Sequence, residues 1–265
     1  MPGMYSACPL KSRGRLSFPK KRLGQHFLKD PNIARIVAEG VGEGDVVLEI
    51  GAGRGALTAV LAERARLVHA VELDAEIIPE LEEAVRGFAN VRIHQADALT
   101  FDYGRLDPPP VRLAANLPYN IASPLVLRLL EEVGCLRILR FMVQLEVARR
   151  MAAAPRSKDY GSYAVLVQLL ARVRVVHRVS PRVFEPPPRV WSAVVELERR
   201  GPVPEDCGRI RELVLAAFSS RRKRLVNNLP DREAAGQALR DLGFGPDVRA
   251  EELEPEQFAR LAGAL

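Results

Sequence analysis

The side chains best suited to chemistry in this sequence lie in one segment, residues 116–121, which reads Asn-Leu-Pro-Tyr-Asn-Ile. An apolar stretch at 111–115 precedes it and a helix-like run follows, which predicts a loop leaving a buried strand. The Asn116 side-chain oxygen and a carbonyl turned by Pro118 can accept hydrogen bonds from an exocyclic amine. Tyr119 offers a ring face for stacking, worth about 1–3 kcal/mol per base. The pattern predicts a pocket for a planar base that carries an amine, although an ordinary turn with a structural tyrosine fits the loop taken alone.

A glycine-rich turn at 51–55 follows an apolar run at 46–50 and precedes a helical pattern at 56–65. Gly51 and Gly53 allow the backbone to approach a ligand closely, and the helix N-terminus presents free N–H groups. Such a unit suits an adenosyl cofactor and suits NAD equally well. The third glycine comes one position earlier than in the dinucleotide fingerprint.

Acidic side chains end the next two predicted strands. Glu72 follows the strand at 67–71, about 20 residues beyond the glycines, where a carboxylate can bind both ribose hydroxyls. Asp97 ends the strand at 91–94, where it can receive an adenine amine or cap a turn. Because the carboxyl ends of parallel strands share one sheet edge, we expect one ligand site there. A dehydrogenase needs no base-stacking pocket beside its cofactor, whereas a methyl donor beside an amine acceptor does, so the loop at 116–121 favours S-adenosylmethionine.

Strand and helix patterns alternate over most of the chain. Strands are predicted at 46–50, 67–71, 91–94, 111–115, 137–143, 172–178 and 190–197, and helices at 31–41, 56–65, 75–86, 123–132, 144–153 and 162–171. This alternation predicts a Rossmann-like α/β fold with a doubly wound, mostly parallel sheet, which the strand at 190–197 is expected to close.

Three further helical patterns, at 209–220, 231–242 and 255–263, follow a Gly-Pro-Val-Pro linker at 201–204. They predict a small C-terminal all-α domain. The expected organisation is a basic, poorly ordered N-terminal tail at 1–20, a methyltransferase domain at 21–200 and a helical RNA-recognition domain at 201–265.

Composition narrows the class of protein. The chain has 265 residues, is 48% hydrophobic and carries a formal net charge of +6, which supports a sizeable core and a polyanionic partner. No run approaches the roughly 20 apolar residues that span a bilayer, and the basic N-terminus lacks the apolar region of a signal peptide, so we expect a cytoplasmic protein without membrane contact. The three cysteines and four histidines are scattered, which argues against disulfides and a metal site. Nothing suggests an interface, so a monomer is expected.

Positive charge is concentrated in two clusters. No acidic residue precedes Asp30, although the N-terminal tail is rich in Lys and Arg, and the second cluster lies at 221–224. A solvated tail and a solvated helix face would explain each cluster alone, whereas two clusters flanking a base-binding site favour phosphate contact. The candidate RNA-binding residues are Lys20, Lys21, Arg22, Arg221, Arg222, Lys223 and Arg224.

These segments together resemble the S-adenosylmethionine-dependent rRNA adenine N6,N6-dimethyltransferases, a family with a class I methyltransferase fold. The likeness is strongest to the bacterial small-subunit enzymes and covers nearly the whole chain from about Lys20. It is carried by residues 24–28, 49–53, 71–74, 97–98, 116–121, 144–148, 160–162, 184–193 and 218–224. Trp191 departs from the family pattern, because relatives usually have a smaller or polar residue there.

The resemblance implies a role for each matched residue. Glu72 would bind the cofactor ribose, Asp97 would meet its adenine, and Asn116 would lie between methyl donor and acceptor. Tyr119 and Phe184 would sandwich the target adenine. The implied cofactor-binding residues are Gln25, His26, Leu28, Gly51, Gly53, Glu72, Leu73, Asp97, Ala98 and Asn116. The implied catalytic residues are Asn116, Leu117, Pro118, Tyr119 and Phe184.

The resemblance also implies a substrate, namely two adjacent adenines near the 3′ end of 16S rRNA within the 30S subunit or its precursor. Two alternatives stay open at this point. One is a macrolide-resistance type of methyltransferase that modifies 23S rRNA. The other is a mainly non-catalytic checkpoint factor of ribosome assembly, which would still bind subunits after a Glu72→Ala change had removed cofactor binding.

Overall fold

The described part of the chain, residues 24–265 of a computed structural model, is built on a seven-stranded sheet and a separate two-stranded one. The N-terminal tail and three of the candidate RNA-binding residues, Lys20, Lys21 and Arg22, lie outside the described residues. The strands are β1 (Phe27–Leu28), β2 (Val46–Ile50), β3 (Leu67–Glu72), β4 (Val91–Gln95), β5 (Arg112–Asn116), β6 (Ile138–Gln144), β7 (Ala171–Val179), β8 (Phe184–Glu185) and β9 (Ser192–Arg199).

Helices alternate with these strands and then follow them. They are α1 (Pro31–Val37), α2 (Ala56–Ala62), α3 (Ile78–Val85), α4 (Ala122–Glu132), α5 (Leu145–Met151), α6 (Ser162–Leu170), α7 (Cys207–Ala217), α8 (Arg232–Asp241) and α9 (Pro255–Ala264). Within the described residues, no helix is long and apolar enough to cross a membrane.

The large sheet has the strand order β4-β3-β2-β5-β6-β9-β7. The first five of these strands run parallel, whereas β9 is antiparallel to both of its neighbours. The Rossmann-like, mostly parallel α/β fold predicted from the sequence is confirmed. The expectation that the strand near 190–197 closes the sheet is wrong, because β9 lies between β6 and β7. Five of the eight β9 residues are buried, whereas five of the nine β7 residues are exposed, so β7 suits the edge.

Two helices are shorter than their sequence patterns because polar and glycine residues stop them. Asp30 caps α1 by accepting from the Asn32 backbone N–H, as expected. The helix ends at Val37 and not at 41, and the turn that follows it brings Gly40 to a φ of 80°, which is not helical. The Asp74 side chain accepts from the Glu76 backbone N–H at 3.2 Å, so α3 begins only after this turn.

Apolar clusters cover both faces of the sheet. Val47 packs in a cluster with α1, α2 and α3, whereas Leu48, its neighbour in β2, packs on the other face with α4 and α6. The cluster that contains Leu48 also includes Val214 of α7 and Phe258 of α9. The predicted division after residue 200 therefore does not follow a gap in the core, and it stays a prediction.

Candidate active site

The carboxyl ends of β2, β3, β4 and β5 border one cavity, whose volume is about 240 Å³. It lies at the switch point of the sheet, where β3 and β5 flank β2 on opposite sides, the usual place for a ligand in an open α/β sheet. Most of the predicted site residues line this cavity, namely Gln25, His26, Leu28, Gly51, Gly53, Glu72, Leu73, Asp97, Ala98, Asn116, Leu117, Pro118 and Tyr119.

The glycine turn brings the β2 and β5 ends into contact. Gly51 has a φ of 74° and donates its N–H to the Val71 carbonyl at 2.9 Å. A Cβ at this position would lie 3.2 Å from Pro118 Cδ and 3.3 Å from the Asn116 carbonyl oxygen. Only glycine fits both the backbone conformation and this close approach. The turn therefore contacts the Asn-Leu-Pro-Tyr loop directly, and both segments line the cavity.

The Glu72 carboxylate is buried and is held by two backbone donors. Gly53 N–H donates to Oε2 at 2.8 Å, and Asp74 N–H donates to Oε1 at 2.9 Å. Gln25 contacts the neighbouring acid, because its side-chain amide donates to the Asp74 carboxylate at 2.9 Å. Each Glu72 oxygen still has acceptor capacity, so an oriented carboxylate remains for a diol such as a ribose.

Asp97 and its neighbours form the opposite side of the cavity. The Asp97 side chain accepts from the Leu99 backbone N–H at 2.9 Å, which makes the local turn that the sequence also allowed. Buried Ala98 and exposed Leu73 add apolar surface beside this carboxylate. The combination suits a flat heterocycle with a polar edge.

Glu49 is a cavity residue that the sequence reasoning missed as a functional group. It is 1% exposed, and its Oε2 has no hydrogen-bond partner among the described residues. Burial, together with the negative charge of Glu72, raises the pKa of Glu49 to about 8, so its carboxyl is mostly neutral at pH 7. The available signal was an acid inside an otherwise apolar strand, Val-Val-Leu-Glu-Ile.

Asn116, the last residue of β5, presents an unused acceptor. Its Nδ2 donates to the His26 backbone carbonyl at 3.1 Å, and since a carbonyl can only accept, this contact orients the amide. Its Oδ1 is buried and has no partner among the described residues. A buried acceptor of this kind costs free energy unless a ligand donates to it, so the geometry calls for an N–H donor in the cavity.

Two contacts hold the Tyr119 side chain, one at its hydroxyl and one at its ring. Its hydroxyl hydrogen-bonds to the Ser192 hydroxyl, and its ring centroid lies 5.5 Å from that of His26. The His26 Nδ1 lies 2.7 Å from the Pro186 carbonyl oxygen. Burial raises the pKa of the Tyr119 hydroxyl, which therefore stays protonated at neutral pH. Ser192 was not predicted, because it lies 73 residues from Tyr119 in the sequence.

Residues 17–265 match the family described as ribosomal RNA adenine dimethylase, which is nearly the whole chain. The chain belongs to this family. It is thus an S-adenosylmethionine-dependent rRNA adenine dimethyltransferase, and the resemblance drawn from its motifs is confirmed.

Individual relatives of this dimethylase agree over almost their full length. A ribosomal RNA small subunit methyltransferase A from Rubrobacter xylanophilus is 72% identical over 250 residues, which is 94% of this chain and 95% of the relative. A protein of the same name from Chromobacterium violaceum is 40% identical over 255 residues, covering 93% and 95% of the two chains.

Two solved structures share the fold. A dimethyladenosine transferase from Plasmodium falciparum has a TM-score of 0.77 and 26% identity, covering 89% of this chain and 96% of its own. The 23S rRNA methyltransferase ErmE has a TM-score of 0.68 and 30% identity, covering 90% and 99%. The chain therefore shares its fold with an enzyme named a dimethyladenosine transferase and with one named for 23S rRNA.

The cavity of the dimethylase fits its cofactor. S-adenosylmethionine carries a ribose, an adenine and positive charge, and the cavity offers the oriented Glu72 carboxylate, an apolar side wall and the unpartnered Glu49 oxygen. The glycine turn leaves backbone accessible between them. Which atom each residue binds stays a prediction.

Phe184 does not line the cavity. It is 1% exposed and packs in the core cluster under α1 and α2, while its strand β8 pairs with β1 so that Phe184 lies opposite Leu28. The dimethylase thus places Leu28, and not the Phe184 ring, on the cavity wall. A stacking role for Phe184 would require its ring to leave this core, and that role stays a prediction.

The C-terminal basic cluster lies apart from the cavity. The cluster does not lie on a helix, because α7 ends at Ala217 and the chain is not helical over 218–224. The Asn228 amide donates to the Ala217 carbonyl at 2.7 Å, which satisfies the helix end. Arg221 pairs with Glu251, and Arg224 pairs with Asp247 at 2.8 Å. The exposed side chains of Arg222 and Lys223 form no ion pair within residues 24–265. Phosphate contact by the cluster stays a prediction.

Proposed function

We propose that this dimethylase modifies two adjacent adenines near the 3′ end of 16S rRNA, converting each to N6,N6-dimethyladenine within the 30S subunit or its precursor. It would act in the cytoplasm as a monomer during small-subunit biogenesis. The observation that carries the proposal is the buried, unpartnered Oδ1 of Asn116 beside Tyr119, since it matches an adenine amine held against a ring. The small-subunit choice is supported by the relative from Rubrobacter xylanophilus.

The acceptor amine is a weak nucleophile because its lone pair is delocalised into the adenine ring. Asn116 Oδ1 and the Pro118 carbonyl would accept its two N–H groups, which favours a pyramidal nitrogen and localises the lone pair. The Pro118 carbonyl already accepts from the Ile121 N–H at 3.2 Å and retains a second lone pair. Bound S-adenosylmethionine supplies the electrophilic sulfonium methyl group.

No dedicated base is required by this arrangement. The amine proton becomes acidic once the nitrogen is alkylated and can leave to water. The contribution of the protein is then positioning and electrostatic stabilisation by preorganised acceptors. Tyr119, fixed by Ser192 and His26, would provide the face that replaces the stacking lost when the adenine leaves its loop, a cost of about a few kcal/mol.

A second methyl transfer requires that the monomethyl product still fits. An Asn acceptor takes one N–H bond and tolerates a methyl group when that N–H rotates away, because the amide carries no formal charge. This step is a hypothesis motivated by the single oriented amide at position 116.

The test is methyl transfer from labelled S-adenosylmethionine to purified, undermethylated 30S and 50S subunits, followed by nucleoside analysis. We expect label only in 30S, as N6,N6-dimethyladenosine. A matched Glu72→Ala protein separates the binding of subunits from methyl transfer. We expect this variant to transfer no label. If that variant binds subunits and impairs growth more than deletion does, the checkpoint role coexists with the activity.

A 23S rRNA methyltransferase is the second candidate, favoured by the 30% identity and TM-score of 0.68 to ErmE. It shares the fold, so the fold does not separate the two. Label appearing in 50S instead of 30S would establish this candidate and overturn the small-subunit proposal.

A further inference from the structure

Trp191 is the one tryptophan of the sequence, and 47% of its surface is exposed. Tryptophan is enriched at binding interfaces, because its ring is apolar and its N–H is polar. Arg189 and Val190 before it are also exposed, whereas the residues immediately after it, in β9, are buried, so Trp191 ends an exposed segment.

Trp191 does not line the cavity, but it directly precedes β9 and so lies at the carboxyl edge of the sheet, two strands from Asn116 of β5. It directly precedes Ser192, whose hydroxyl holds Tyr119, and Ser192 pairs with Gln144 at the carboxyl end of β6. The Trp191 carbonyl accepts from the Leu145 N–H at 2.9 Å, which anchors its backbone to the start of α5. The indole is therefore carried on a rigid segment, at the same sheet edge as Asn116.

One arginine contacts the Trp191 ring, and two more precede it closely in the sequence. The Arg178 guanidinium lies over the indole, 5.4 Å from the ring centroid. Arg182 and Arg189 are also exposed, one on each side of β8 in the sequence. Within the described residues none of these three arginines forms an ion pair, whereas Arg174, farther along β7, pairs with Glu196. Exposed Glu185 is the acid closest to them in the sequence.

We propose that Trp191, backed by Arg178, stacks on the unpaired base next to the target adenine, and that Arg178, Arg182 and Arg189 bind phosphates of the same RNA strand. The inference rests on the proposed function and names a further contact of that site. When the target adenine leaves its stack, the neighbouring base is left with one uncovered face. A rigid indole beside the pocket can cover that face, and the arginines neutralise the backbone that runs past it.

Because Trp191 is the only tryptophan in the sequence, indole fluorescence reports on its surroundings alone. The full-length protein is titrated with a synthetic RNA hairpin whose loop contains two adjacent adenines, and indole fluorescence is recorded. Stacking predicts saturable quenching and reduced access of acrylamide to the indole. Binding of the hairpin is measured separately by the anisotropy of labelled RNA. Indole emission that stays unchanged while the hairpin binds would overturn the proposal.

Variants test the contact in function. Trp191→Leu is expected to raise the KM for 30S subunits at least about fivefold, the loss of one stacked base, while the dissociation constant for S-adenosylmethionine stays the same. Trp191→Phe keeps a ring and should restore most of this loss. Equal KM values for the Leu and Phe variants and the parent protein would mean that Trp191 only covers Arg178.

The charged part of the proposal has its own control. Arg178→Ala should weaken hairpin binding and reduce its salt dependence, whereas Arg66→Ala, an exposed arginine at the amino edge of the sheet, should change neither. Equal effects of the two changes would contradict a local phosphate contact. Failure of the parent protein to label 30S subunits would refute the proposed function, whereas normal labelling with an unaltered Trp191→Leu variant would refute this inference alone.

Discussion

At the scale of single residues, Asn116 is the side chain on which the proposed reaction depends most. Asn116→Ala removes a preorganised acceptor, and we expect kcat for methyl transfer to 30S subunits to fall about 100-fold. Calorimetry with S-adenosylhomocysteine measures whether the variant still binds the cofactor, so that a fall in kcat can be assigned to the acceptor amine. A variant with nearly normal kcat would contradict the role of Oδ1.

Asn116→Asp tests the second methyl transfer. The amide donates to the His26 carbonyl through Nδ2 and offers Oδ1 as an acceptor, whereas a carboxylate only accepts and carries a negative charge. We expect N6-monomethyladenosine to accumulate, as measured by nucleoside chromatography after exhaustive reaction. Mostly dimethyl product would show that the amide is not what permits the second round.

Glu49 makes the stability of the cofactor-free protein depend on pH. Its pKa is about 8 in the fold against 4.5 when unperturbed, so between these values the unfolded chain loses a proton that the folded chain keeps. Stability is therefore lost as pH rises through this window. Glu49→Gln removes the effect, and the Tm difference between the variant and the parent protein should increase from pH 5 to pH 8 and then level off.

The cofactor provides a control for this pH dependence. S-adenosylmethionine brings positive charge into the cavity, which favours the ionised carboxylate and should flatten the pH dependence of Tm in the parent protein. A Tm difference that is constant with pH would mean that Glu49 is ionised in the folded protein.

At the scale of elements, Arg199 joins the end of β9 to the end of α4. Its guanidinium donates to the carbonyls of Leu130 and Leu136 at 2.8 Å, and it also reaches those of Leu129 and Val133. Leu129 and Leu130 lie in the last turn of α4, and Val133 and Leu136 lie in the turn that follows it. The Leu129 and Val133 carbonyls also accept a backbone N–H, whereas those of Leu130 and Leu136 lie at the helix end, where intrahelical donors run out. One side chain thus closes the C-terminus of the helix that begins just after the Asn-Leu-Pro-Tyr loop.

Removing this contact leaves partly buried carbonyls unpaired. Arg199→Ala should lower the free energy of unfolding by about 3 kcal/mol, measured in urea, and Arg199→Lys should recover only part of it because an ammonium lacks the planar fork. The matched control is Arg174→Ala, which breaks the pair between the exposed Arg174 side chain and Glu196 and should cost much less than Arg199→Ala because water screens an exposed charge. Similar losses for both variants would contradict the special role of Arg199.

At the scale of the whole molecule, the C-terminal helices and the sheet share one apolar core. Phe258 of α9 is buried against Phe218 at 5.7 Å between ring centroids. Phe218 in turn contacts Tyr160, whose hydroxyl donates to the Leu253 carbonyl at 2.8 Å. These contacts tie the segment before α6 to the segment before α9, so we expect the two parts to unfold together.

Phe258→Ala tests this coupling. It should destabilise the protein by about 3–5 kcal/mol, and the fluorescence of Trp191, on the sheet, should shift to lower urea together with the far-ultraviolet circular dichroism. An unchanged Trp191 transition beside a shifted helical signal would show that residues 201–265 fold separately, as the linker at 201–204 predicts.

The sequence by itself determined the fold class and most of the cavity wall. Glu72 and Asn116 end parallel strands, and the glycine turn and Asp97 closely follow the ends of β2 and β4. Parallel strands that alternate with helices bring their carboxyl ends to one edge. Local pattern is sufficient for this, because strand direction and turn chemistry depend on neighbouring residues. Chain order alone therefore brought these groups together.

Only the tertiary structure decided the states of those groups. The orientation of the Asn116 amide depends on a carbonyl 90 residues away, and that of Tyr119 on a hydroxyl 73 residues away. The neutral carboxyl of Glu49 and the buried ring of Phe184 result from packing by elements distant in the chain. Hydrogen-bond direction, protonation and burial depend on what surrounds a side chain in space, and no spacing along the chain contains that information.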